Sequence, residues 1–335
     1  MRHRIVTSML LSLLFAAASS GAEPAAPAPS PVVPLLAQSK FTELDRALRD
    51  MAGRRADCAA RGVCEYADAV SALTRALADD ETLRPYLDAW LRASKAPFAE
   101  LVHGEYETVR AWAERGTGYS NSVAPDAWPR FFAHLAAAEG AYRKSQQIDP
   151  HAPDPMVGLV YLALYQQKGL AEVKRRFDAA VALDPGSDAA HRAMLLAVSR
   201  RWGGSDEAEL AFARMVAAAH PDSPDLGLLV LQAHVDAARS TDERRYWRDP
   251  VAWSDGSAAL ERYLAKIPES SWAHNRLARL AYVAGKKEVA VREFKWIGDA
   301  WHPSVWQNSK DGFTLARFWA LGTAAFSAAP AAPAE

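Results

Sequence analysis

An all-α array of helical hairpins stacked as a solenoid, behind an N-terminal helical block, is the fold class this sequence predicts, and three observations predict it. From Ala171 to Leu183 the apolar residues Val173, Phe177, Ala180 and Val181 fall at i, i+4, i+7 and i+8, one stripe of a 3.6-residue helix. Asp184-Pro185 closes that stripe, because proline disfavours helical geometry in the residue before it. The same punctuation recurs 35 residues upstream as Ile148-Asp149-Pro150 and 36 downstream as Ala219-His220-Pro221-Asp222; a period of about 34 residues belongs to helix-turn-helix repeats. Ala-rich helical patterns dominate elsewhere, and no alternating strand pattern of useful length occurs.

The N-terminal block, residues 38–120, reads as four helices. Their buried stripes are Phe41, Leu44, Leu48, Met51; Tyr66, Val70, Leu73, Leu77; Leu83, Tyr86, Leu87, Trp90, Leu91; and Phe98, Leu101, Val102, Val109, Trp112. Gly116 and Gly118 end the block. The repeat region, 121–322, opens with a helix from Asp126 through Trp128, Phe132, Leu135, Ala138 and Tyr142 to Pro150. Pro129 sits in its first turn, where a missing N–H does little harm. Asp154-Pro155, Ser205 before Asp206-Glu207, and Ser223-Pro224 supply cap and first-turn chemistry, which predicts hairpins of 155–183, 188–219 and 224–266.

The third hairpin is long: Pro221 to Pro268 is 47 residues. About a dozen extra residues, Ser240 to Pro250, enter as a loop, and insertions in repeat arrays often map to the binding face. Arg244, Arg245 and Arg248 flank Tyr246 and Trp247 there, residue types enriched at interaction hot spots. The alternative is that the two aromatics tuck into the neighbouring hairpin. Arg201 and Trp202, before Gly203-Gly204-Ser205, form a second candidate binding position, and the Gly-Gly-Ser reads as helix stop, turn and cap. A last hairpin over 271–300 and a capping helix through Phe313, Leu315, Phe318, Trp319 and Leu321 complete the array. Seven of 11 Trp lie beyond residue 245, either as core or as the lining of a groove.

Leu277, Ala278, Gly285, Ala290 and Phe294 occupy the places that tetratricopeptide-type repeats give to Leu, a small residue, a turn Gly, Ala and an aromatic; the resemblance implies close-packed antiparallel helices with the ring filling the groove beneath. A second resemblance rests on Arg115-Gly116-Thr117-Gly118-Tyr119, Trp128, the repeated Asp-Pro helix ends and Arg201-Trp202-Gly203-Gly204-Ser205. With these the chain resembles the exported bacterial family called domain of unknown function 4034, which implies a helical repeat fold over roughly residues 85–300 and no particular activity.

Met1-Arg2-His3-Arg4, the apolar run Ile5–Ala18 and the small residues through Ala22 read as a secretory signal peptide, residues 1–22, cleaved after about Ala22. The expected location is periplasmic or secreted, with no membrane span once the signal is removed. Residues 23–37 read as an extended Pro/Ala linker, and 323–335 as a disordered tail. Cleavage leaves 37 Lys plus Arg against 40 Asp plus Glu, a balance that argues against nucleic acid as a partner. The only two cysteines, Cys58 and Cys64, read as a disulfide in an exported chain; so short a loop predicts about 2 kcal/mol of stabilisation.

Nine histidines are scattered without a His-Glu-x-x-His or a His/Cys cluster, and no Gly-x-Ser-x-Gly elbow or Ser-x-x-Lys occurs. No catalytic, metal or cofactor site is therefore assigned. The sequence reading is a non-catalytic binding or scaffold protein that engages a peptide, protein segment or envelope component. An immunity-type inhibitor of a secreted toxin and a cell-wall-active hydrolase are the alternatives.

Overall fold

The computed structural model describes residues 31–55, 64–116, 118 and 120–322; among them the chain forms sixteen α-helices and no strand. The fold is all-α, with consecutive helices packed on one another as hairpins. Contacts divide it into two units, residues 31–197 and 198–322 of the described chain. The signal-peptide residues, Cys58 and the tail beyond Gly322 lie outside the described residues.

Unit 1 begins where the linker was expected to be extended, and there the structure corrects the sequence reading. Val32–Ala37 is a helix, α1, with Val32 and Leu36 fully buried. They pack toward α2 (Phe41–Gly53), α3 (Glu65–Asp79) and α4 (Arg84–Ala93). Pro34 does not prevent this, because it falls in the first turn, where the N–H has no intrahelical partner in any case. An i, i+4 apolar pair was enough to recruit six residues of a Pro-rich stretch. On α4, Leu87 and Trp90 are fully buried, and the Trp90 indole donates to Asp45 of α2 at 2.9 Å.

Helix α5 (Phe98–Arg115) and helix α6 (Ala127–Ile148) form the longest hairpin, followed by α7 (Pro153–Tyr165), α8 (Leu170–Leu183) and α9 (Asp188–Val198). The start of α7 falls at Pro153, slightly before the Asp154-Pro155 signal. α7 is buried along almost its whole length from Pro155 to Tyr165. A buried Arg176 on α8 ties the neighbouring helices together: it donates to Glu139 of α6 at 2.8 Å, to Glu172 at 2.7 Å and to the Leu159 carbonyl of α7 at 2.9 Å. A buried guanidinium is tolerable only when its donors are met in this way.

Unit 2 opens on the Arg-Trp-Gly-Gly-Ser turn. Gly203 takes φ 93°, a left-handed conformation that glycine adopts without a Cβ penalty. Ser205 then caps α10 (Asp206–Ala219), accepting the Ala208 N–H at 3.1 Å. The stop, turn and cap are as read from sequence. α11 (Pro224–Ala238) is capped by Ser223. The expected insertion loop is a short helix, α12 (Glu243–Trp247), and α13 (Pro250–Lys266), α14 (Ser271–Ala284), α15 (Lys287–Ile297) and the closing α16 (Lys310–Leu321) follow.

Two apolar clusters hold unit 2 together. Trp247, Leu260, Tyr263, Leu277 and Leu280 centre one, and Phe294, Ile297, Val305, Trp306 and Phe313 the other. The repeat register is met at each position, with Leu277, Ala278, Ala290 and Phe294 fully buried and Gly285 at φ 75° after α14. Most of the C-terminal tryptophans belong to these clusters. Trp296 is the exception, 43% exposed and stacked on His274 at 3.6 Å.

Candidate binding surface

Helix α12 exists because Asp242 caps it, accepting the Arg245 N–H at 2.7 Å, and because Trp247 at its end has a core to enter. Trp247 is 2% exposed. Its ring lies against Gly256 of α13, where a Cβ would stand 2.8 Å from it. As a recognition group Trp247 is therefore corrected: it is core, since an indole loses contact with water when a glycine in the facing helix lets it in. Tyr246 is half-buried, its hydroxyl 2.8 Å from His234 Nδ1.

His234, buried on α11, has its other nitrogen 3.1 Å from Asp255 of α13, and Arg214 of α10 binds the same carboxylate at 2.6 Å. An Nε2–H donated to Asp255 leaves Nδ1 as acceptor for the Tyr246 hydroxyl. Burial holds the His234 pKa below its ordinary value despite Asp255. Burial, and then the nearby carboxylates led by Asp206, push the Tyr246 hydroxyl up. Tyr246 is thus a locked, protonated donor that fastens α12 to the helices beneath.

The arginines of the insertion face outward. Arg244, Arg245 and Arg248 are exposed; Arg244 lies over the Tyr282 ring of α14 at 5.6 Å and reaches its hydroxyl at 3.4 Å. Arg279 of α14 grips Glu243 of α12 through both terminal nitrogens, at 2.9 and 3.0 Å. Arg201 is exposed and Trp202 half-buried on the turn at the start of unit 2, where Arg200 is ion-paired to Asp206. Sequence reading missed Arg279 and Tyr282. Their i, i+3 spacing was visible, and it places them on one face of α14.

Unit 1 carries a second polar centre, and it is buried. Tyr142 of α6 donates to Glu105 of α5 at 2.9 Å and lies 3.4 Å from the Thr108 hydroxyl. Burial pushes the Glu105 carboxyl up to about 7, and the Asp154 charge adds to it against the Tyr142 hydrogen bond. Asp154 itself is ion-paired to Arg55, which lies 4.8 Å from the centre of the Tyr66 ring. Two residues along α5 the outcome is opposite. Burial would raise Glu107 too, but hydrogen bonds from His103, His134 and Arg84 hold it down at about 2.

Glu105 sets a pH dependence. Its folded-state pKa lies above the ordinary carboxylate value, so its contribution is most favourable below about 4.5. It becomes unfavourable as pH rises toward about 7, where the buried group must ionise. Glu105→Gln, which keeps an acceptor for Tyr142, is expected to stabilise the chain by about 1–3 kcal/mol at pH 8 and to change little at pH 4.5. Thermal melts at the two pH values check this; equal effects at both would refute the assignment.

Among the described residues no group of three or more His, Cys, Asp or Glu is placed to hold a metal ion. No described helix is long and apolar enough to cross a membrane. No protein-family model matches the chain, and no curated protein is significantly similar to it.

Proposed function

We propose that this chain is an exported helical-repeat binding protein, without catalytic activity, that engages a peptide or protein segment on the arginine-bearing surface of unit 2. One observation carries the reading: the residues that break the repeat length form a capped helix, fastened by Trp247 and Tyr246, that holds Arg244, Arg245 and Arg248 in solvent. A rigid support with exposed guanidinium groups suits recognition, because less side-chain and loop freedom is lost on binding. Membership of the tetratricopeptide-like class and of the family of domain of unknown function 4034 is part of the proposal. So are the signal peptide cut after about Ala22 and the Cys58–Cys64 disulfide, which alkylation before and after reduction of the secreted chain would test.

The experiment is a comparative pull-down from a periplasmic extract. Arg244→Ala, Arg245→Ala and Arg248→Ala combined are expected to abolish capture of the wild-type partner with the melting temperature nearly unchanged. Trp247→Ala is expected to cost about 3–5 kcal/mol of stability, as for other large core rings. Undiminished capture by the triple variant would overturn the placement of the surface.

A further inference from the structure

In unit 1 one imidazole stands between two carboxylates of its own helix. Glu100, His103 and Glu107 of α5 are spaced i, i+3 and i+7, on one face of the helix. His103 Nδ1 lies 3.8 Å from Glu100 Oε2, and its Nε2 lies 3.4 Å from Glu107 Oε1. Glu100 Oε2 and His103 Nδ1 are both shut off from water, and among the described residues neither makes a close hydrogen bond. They are the two sides of the same gap.

The helices packed on α5 add their charges around this group. Arg84 of α4 donates to Glu107 Oε1 at 3.0 Å, and His134 of α6 faces Glu107 Oε2 at 2.6 Å. Lys144, toward the end of α6, is 3.7 Å from Glu100 Oε1. Glu105 is two residues on, about 200° round the helix axis, and it is Glu105 that Tyr66 of α3 and Asp154 of α7 act on.

We propose that Glu100, His103 and Glu107 form a proton-operated clasp, closed while His103 is an imidazolium and released at Glu100 once the ring is neutral. A neutral imidazole has one N–H and one lone pair, whereas the imidazolium donates from both nitrogens. Only the charged ring can serve both carboxylates, and a neutral one turns its lone pair on one of them where water does not reach. Glu107 is held in place by Arg84 and His134 as well, with its side chain 7% exposed; Glu100, at 15%, is the arm that can leave. Its departure also undoes the Lys144 contact, where α6 meets the start of α5 and Ser145 donates to the Pro97 carbonyl at 2.8 Å.

Burial would lower the His103 pKa, but hydrogen bonds to Glu100 and Glu107, and then the Glu107 charge, raise it above its ordinary value against Arg84. A raised folded-state value gives stability that is fully present below the unfolded value of about 6.5 and is lost as pH climbs through the folded value. The clasp therefore holds in mild acid and opens in mild base.

The test uses the whole chain carrying Glu105→Gln, which takes the Glu105 titration out of the same range. Two-dimensional NMR follows the histidine ring signals, with His103 assigned by its loss in His103→Gln. His103 is expected to titrate above the ordinary histidine value, and Glu100→Gln to bring its midpoint down. The uncharged amide of that variant can donate to the lone pair of a neutral ring, so Glu100→Gln should melt below its parent at pH 5.5 and above it at pH 8.5. A purely packing role for Glu100 would displace both melts the same way. A His103 midpoint at or below the ordinary value, or melts displaced in one direction at both pH values, would overturn the clasp. If Glu100→Gln is too unstable to melt, His103→Gln takes its place: a loss of melting temperature at pH 5.5 that shrinks by pH 8.5 supports the clasp, and an equal loss at both overturns it.

Discussion

Phe294→Ala is expected to destabilise the chain by about 3–5 kcal/mol, the usual cost of emptying a large aromatic site in a packed core. Its ring is fully buried on α15, 5.9 Å from Trp306 and 5.6 Å from Phe313 between centres. Around it Ala278, Ala281, Ala290 and Ala316 are all at 0% exposure. Alanines cannot swing in to fill the cavity, so the site should collapse poorly and the cost should fall in the upper part of that range. Lys287→Ala, at the exposed first position of the same helix, is expected to stay within about 0.5 kcal/mol. Urea unfolding read by tryptophan fluorescence reports on this layer through Trp306. Equal midpoints for the two variants would refute the register.

That register was legible because it is local. Leu277, Ala278, Gly285, Ala290 and Phe294 lie within one helix-turn-helix, and the period of apolar residues states which face of each helix is covered. Asp184-Pro185, Ser205 and Ser223 were legible for the same reason, since caps and stops act within a turn of themselves. What lies opposite a face is not in the period. Trp247 could be assigned to core or surface only once Gly256, nine residues on, was known to face it. Glu105 and Tyr142 are 37 residues apart on different helices, and nothing in either stripe announces that one hydroxyl ends on the other carboxylate.

The α1 helix was hidden for another reason. Prolines set the composition of residues 23–37, while two apolar residues, Val32 and Leu36, decided the structure. The candidate site was legible in its residue types and not in its geometry. Exposed arginines near 244–248 were expected, but that Tyr246 would be fastened to His234, 12 residues away on another helix, was not.

The same long-range logic sets the sign of the last expected result. Tyr142 lies between two glycines on two different helices. A Cβ at Gly158 of α7 would stand 2.5–2.7 Å from its ring, and one at Gly104 of α5 would stand 2.6–2.9 Å from it. The ring cannot retreat from α7 without meeting α5, and its hydroxyl is held by Glu105 at 2.9 Å. Gly158→Ala should therefore be strongly unfavourable despite alanine's better helix propensity, by about 3 kcal/mol, the upper part of the usual overpacking range. Gly140 is the internal comparison. It lies inside α6, two residues before Tyr142, exposed and with nothing within 4 Å of an added Cβ. Gly140→Ala should stabilise the chain by about 0.5–1 kcal/mol through helix propensity alone. Melts of the two single variants should move in opposite directions. If Gly158→Ala melts at or above the wild type, Tyr142 is not clamped and α5, α6 and α7 meet with more room than these distances allow.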